Sequence, residues 1–158
     1  MSDNEQGGSI YILWNTYCNE VIAAIFLVAL RDAGWRAKLV GLHGDRHPGR
    51  HGVTLVADMS LGDALRAPDR ILSVIAPCVL NPLDLIDPDP RLGELFARAQ
   101  HQQAVFVVEA DPAAPRFPWP ESTLAVSPDA ANVLDAARVL IERLTVHKPA
   151  PVRADALP

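Results

Sequence analysis

Cysteine is scarce in this chain: Cys18 and Cys78 are the only two in 158 residues. Sixty positions apart, they match no zinc-finger or CxxC spacing, and in a reducing compartment both are expected as free thiols. Long apolar runs are missing as well. The longest, Val21 to Leu30, falls far short of the roughly 18 residues a membrane-spanning helix needs. The opening MSDNEQGG has neither a positive stretch nor an apolar one, so no secretory signal is read and a cytoplasmic address is expected. There is no cationic excess: 14 basic against 19 acidic residues give a net charge of −5, which argues against a nucleic-acid partner. GxGxxG, Walker A, GxSxG and HExxH patterns are absent, removing the usual signals for a nucleotide, a serine nucleophile or a peptidase zinc, and no cofactor or metal is expected.

What is present suits one α/β domain over residues 9–146, with a flexible N-terminus (1–8) and a loose tail (147–158). Ile10 to Trp14 is a short apolar run of the kind buried on both faces of a parallel sheet. A helix over 19–33 follows, stopped at Gly34. Arg36 to Leu42 reads as the second strand, and HGDRHPGRHG as a polar loop. Val53 to Val56 can form a short strand. Ser60 and Asp63 resemble a capping box ahead of a short helix in LGDAL. Arg70 to Ala76 is the third buried strand, Leu92 to His101 a helix, Ala104 to Val108 the fourth strand and Thr123 to Val126 the fifth. The closing helix spans 130–144, with Val133, Leu134, Ala137, Leu140, Ile141 and Leu144 on one side.

Alternating strands and helices imply a flavodoxin-like three-layer sandwich: a mostly parallel five-stranded sheet with helices on both faces. Ligands of such sheets bind beyond the carboxyl ends of the strands, at the point where strand order reverses. The candidates gathered there are Asn15, Cys18 and Glu20 after strand one, Cys78 after strand three, and Glu109 and Asp111 after strand four. If strands one and three are neighbours, the two cysteines approach each other. Cys18, near a helix N-terminus, could be a reactive thiol of lowered pKa or an inert buried residue. Glu20 could be a catalytic acid or a first-turn residue favouring the helix dipole. Glu109, partly desolvated, could have a raised pKa if no cation is near and then act as acid or base or bind a metal with a thiolate, or it could cap loop N–H groups.

His43, His47 and His51 recur every four residues, but Gly44, Pro48 and Gly49 break the helix that would align them on a metal, so a solvated loop is the reading. The four prolines of ADPAAPRFPWPES make a rigid extended loop whose Phe117 and Trp119 either cover the site or pack on the core. The first helix, apolar all round, needs cover on its second side; a homodimer through residues 19–33 supplies it, or else the C-terminal tail does.

Several stretches together resemble the PfpI/ThiJ superfamily, which includes DJ-1 and has a class I glutamine amidotransferase-like fold. They are NEVIAAIFLVALRDAGWRAKLVGLHG, VTLVADMSLGDAL and DRILSVIAPCVL, with RDAG, KLVGL, ADMSLGDA and APCV as the matching pieces and AANVLDAARVLIERL as the closing helix. The resemblance covers about two thirds of the chain and implies a catalytic cysteine in a turn after the fourth strand. That place reads VFVVEADPAAP, with Glu109 and no cysteine. The family's glutamate position falls on Ile22, with Glu20 one alternation earlier. Its Gly-Gly turn reads Cys78-Val79, and no histidine follows the fourth strand before His147. Peptidase, glyoxalase or deglycase chemistry is therefore not carried over. The favoured reading is a catalytically degenerate, dimeric module that binds a small molecule or a partner. The alternative is a rewired thiol enzyme of hydrolase, lyase or redox type, with Cys18 as the thiol and Glu109 as its proton partner.

Overall fold

The computed structural model describes residues 7–78, 89–110 and 120–146. The chain opens with β1 (Ser9–Trp14), α1 (Glu20–Asp32) and β2 (Ala37–Gly41), then β3 (Arg46–Pro48), β4 (Thr54–Val56), β5 (Met59–Ser60) and α2 (Leu61–Arg66). It continues with β6 (Ile71–Ala76), α3 (Pro90–His101), β7 (Val105–Glu109), β8 (Leu124–Val126) and α4 (Ala130–Val146). The main sheet runs β5-β2-β1-β6-β7-β8, and every neighbouring pair in it is parallel. The flavodoxin-like architecture holds, with six strands where the sequence predicts five. The sixth is β5, two residues pairing Val40 with Met59 and Gly41 with Ser60, too short to leave a hydrophobic period.

Every residue of β1 is buried, because a central parallel strand has a helical layer on each side. Alternation divides its side chains between two cores. Ile10, Ile12 and Trp14 join Phe26, Leu39 and Leu140 under α1 and α4. Tyr11 and Leu13 face the other way, onto Leu61, Leu95 and Phe106 under α2 and α3. In α4 the buried stripe is Val133, Ala137, Leu140 and Leu144; Leu134, expected on the same side, is exposed.

Local chemistry sets the ends of the elements. Asn19 caps α1, its Oδ1 accepting the N–H groups of Val21 (2.9 Å) and Ile22 (3.3 Å). The Ser60–Asp63 capping box forms in both directions and starts α2. Pro90 begins α3 one turn position after the cap Asp89, where its missing N–H costs nothing.

Residues 43–52, expected as a loop, contribute one strand of a hairpin: β3 and β4 pair antiparallel, His47 opposite Leu55. Polar side chains hid this strand from a hydrophobic count, since Arg46, His47 and Pro48 bury little surface. The hairpin is tied to the sheet where the Trp14 indole N–H donates to the His47 carbonyl at 3.0 Å.

Candidate functional site

Strand order reverses between β1, which leads toward β2 and β5, and β6, which leads toward β7 and β8. The candidate site lies at the carboxyl ends of these strands. Asn15, buried after β1, folds the turn into α1: its Oδ1 accepts the Tyr17 N–H at 2.9 Å and lies 3.3 Å from Cys18 Sγ, and its carbonyl accepts the Cys18 N–H at 3.1 Å. The Asn19 N–H donates to the Pro77 carbonyl at 2.6 Å, stitching this turn to the end of β6. Beside that contact Cys18 and Cys78 are joined in a disulfide, their Cα atoms 4.4 Å apart. The expectation of two free thiols is thereby corrected. Parallel neighbours place their carboxyl ends on one rim, so sixty residues of separation become a side-chain contact.

Glu20, the first residue of α1, is buried and turned toward the hairpin loop. Its carboxylate accepts the N–H groups of His51 (3.0 and 2.8 Å) and Val53 (3.0 Å), and the His51 Nδ1 lies 3.1 Å away. Burial works to raise its pKa, but the N–H bonds from Val53 and His51 outweigh that and hold it at about 2. Glu20 is the acidic first-turn residue of α1 that one sequence reading expects, and its carboxylate in addition anchors a loop thirty residues away. Gly49 makes room for it, since a Cβ there would come within 2.5 Å of the Glu20 Cδ.

Glu109 ends β7 with its side chain 1% exposed, and the cation that the sequence left open is Arg50. The guanidinium donates through both terminal nitrogens, Nη1 to Oε1 at 2.7 Å and Nη2 to Oε2 at 2.6 Å. Arg50 also donates its backbone N–H to the Cys18 carbonyl at 2.9 Å and Nη2 to the Tyr17 carbonyl at 3.3 Å. It therefore joins the ends of β1 and β7 across the rim. Its place in a turn cluster hides Arg50 in the sequence; the signal is an arginine between Gly49 and Gly52, with Glu109 as a carboxylate lacking an assigned partner.

Asp89 adds a carboxylate at the N-terminus of α3, bonded to Arg91 at 3.0 and 2.8 Å. That pairing, with the Arg91 N–H and His43 nearby, lowers its pKa. His47 and His51 lie on or beside the hairpin rather than on a helix, the His47 ring bonding the His43 carbonyl. Among the described residues no three His, Cys, Asp or Glu side chains converge as a metal site would need. Asp111, Phe117, Trp119 and His147 lie outside the described residues.

DJ-1beta of Drosophila melanogaster superposes with a TM-score of 0.70 over 88% of this chain and 91% of its own, at 16% identity. The chain has the DJ-1/ThiJ/PfpI fold. A DJ-1 superfamily protein from Salmonella typhimurium gives the same TM-score at 17% identity, covering 88% of this chain and 91% of that one. A ThiJ/PfpI domain protein from Brachyspira murdochii gives 0.65 at 12% identity, covering 89% and 97%. No model of a known protein family and no curated protein matches the sequence. The likeness is thus one of backbone; the rim of this chain holds a disulfide, a loop-anchoring carboxylate and an arginine–carboxylate pair. No helix among the described residues is long and apolar enough to cross a membrane.

Proposed function

We propose that this chain is a non-classical, cytoplasmic member of the PfpI/ThiJ superfamily, catalytically degenerate at the family's nucleophile position. It acts as a dimeric module that binds a small molecule or a protein partner. The observation that carries this reading is the pairing of the buried Glu109 carboxylate with the partly exposed Arg50. Both oxygens of the carboxylate at the end of β7 are engaged by one guanidinium in a bidentate pair. Cys18 is likewise engaged with Cys78, and Glu20 with the N–H groups of the hairpin loop. The groups able to do chemistry are occupied with one another, which suits recognition better than turnover.

A dimer through α1 is part of the same reading. The helix α4 covers one flank of α1, while Val21, Ala24 and Val28 remain exposed along the outside. Sedimentation should give a mass near twice 17.1 kDa, and a monomer at every concentration would remove the dimer. Assays with a 2-oxoaldehyde, a peptide and an activated ester should show no saturable turnover above the Glu109→Ala variant. Turnover lost in that variant would overturn the degenerate reading.

The alternative, a thiol-dependent enzyme using Cys18 and Glu109, draws on one observation: Arg50 touches both, through its backbone N–H and its guanidinium. It requires a Cys18 thiol of depressed pKa after reduction, and alkylation following an ordinary profile near pKa 8.5 would reject it.

A further inference from the structure

We propose that the Cys18–Cys78 disulfide is a reversible redox latch on this site, exchanging with dithiol reductants and setting how tightly the loop 49–53 is held. The proposal rests on the binding-module reading, because it names how that module's rim is regulated.

Two features separate a latch from a passive staple. The first is that the sulfurs are kept together by contacts the disulfide does not make. β1 and β6 are paired neighbours, Ile12 opposite Ile75, and the Asn19 N–H is bonded to the Pro77 carbonyl. Reduction therefore leaves the two thiols near each other but no longer fixed, at a high effective concentration for re-oxidation. The second is what the bridge touches. The Cys18 carbonyl accepts the Arg50 N–H, the Tyr17 carbonyl accepts the Arg50 side chain, and Glu20, two residues on, accepts the His51 and Val53 N–H groups. The loop that presents Arg50 to Glu109 is thus hung on residues 17–20. Their position is fixed covalently only while the cystine is intact.

The chemistry balances with a dithiol as the named reductant. Cys78 keeps slight exposure, whereas Cys18 has none, so a reductant thiolate attacks Cys78 Sγ. The S–S bond breaks as the mixed disulfide forms, and Cys18 leaves as a thiolate close to the N-terminus of α1, where the helix dipole favours negative charge. That thiolate takes up a proton; its sulfur lies 3.3 Å from Asn15 Oδ1, an acceptor for the new S–H. The reductant's second thiol attacks the mixed disulfide, closing the oxidised reductant as a cyclic disulfide and releasing Cys78 as the second thiol. Two electrons and two protons pass to the protein.

The full chain is equilibrated in mixtures of reduced and oxidised dithiothreitol without denaturant, quenched in acid, alkylated and weighed. A single two-electron couple that follows the buffer in both directions is expected. Cys18→Ser and Cys78→Ser must each abolish it, Cys78→Ser without forming the mixed disulfide. Amide exchange at Arg50, His51 and Val53 should quicken about tenfold in the reduced form, with Ile12 and Val40 unchanged as core references. A pair that yields to reductant only after unfolding overturns the latch, and so does loop exchange that is equal in the two forms. The measurement contains no substrate. Turnover in the assays above would therefore remove the binding-module reading without altering this couple, and a silent couple would leave that reading standing.

Discussion

At the residue scale, the rim depends on charges whose partners come from distant segments. The folded Glu20 pKa of about 2 lies below its ordinary 4.5, so the carboxylate stabilises the fold above about pH 4.5. That contribution fades as pH falls toward 2. Glu20→Gln should flatten the acid side of a stability-versus-pH curve and cost about 2 kcal/mol at neutral pH, because an amide presents N–H groups to N–H donors. An unchanged acid limb in urea titrations would contradict the assignment. Gly49→Ala should destabilise by about 1–3 kcal/mol, since the added methyl meets the Glu20 side chain. For the Arg50–Glu109 pair, Arg50→Met strands a buried carboxylate and should cost about 3 kcal/mol, tempered by the 34% exposure of the arginine. Adding Glu109→Leu should restore most of that loss, and a double variant no better than the single would show that the pair is not the unit.

At the element scale, α1 is the hinge between the site and the surface. Its N-terminus carries the turn with Asn15, Cys18 and Asn19, its inner face packs Ile22, Phe26 and Leu30, and Val28 stands 67% exposed on the outside. Val28→Asp should leave the circular dichroism spectrum unchanged and, if α1 is the dimer contact, shift the sedimenting mass to the monomer. A variant that stays dimeric would move the interface elsewhere. The sequence rightly marked this helix as apolar beyond the needs of one face, but α4 accounts for part of the excess by packing alongside. The capping box of α2 was legible because Ser60 and Asp63 lie within one turn of each other, a spacing that needs no tertiary knowledge.

At the scale of the whole molecule, the disulfide closes a chain segment of sixty residues. On the chain-entropy view, such a link stabilises by about 4 kcal/mol by restricting the unfolded ensemble. The Cys18→Ala/Cys78→Ala double variant should therefore unfold at lower urea while keeping the fold, because the parallel strand pairs and the two cores remain. A variant as stable as the parent would show that the unfolded chain feels no such constraint.

The sequence by itself determined the alternation of strand and helix, the two-sided burial of β1, the Ser60–Asp63 capping box and the shared rim at the carboxyl ends of the strands. These are local periodicities and end effects, and a parallel sheet follows from them because each crossover needs its helix. Tertiary structure alone decided the rest. The two-residue strand β5 and the polar hairpin leave no hydrophobic period to read. The bonds from Glu20 to His51, from Glu109 to Arg50 and from Cys18 to Cys78 join segments thirty to sixty residues apart. Which partner a buried charge or thiol finds depends on which loops share a rim, and folding settles that through the order of the strands.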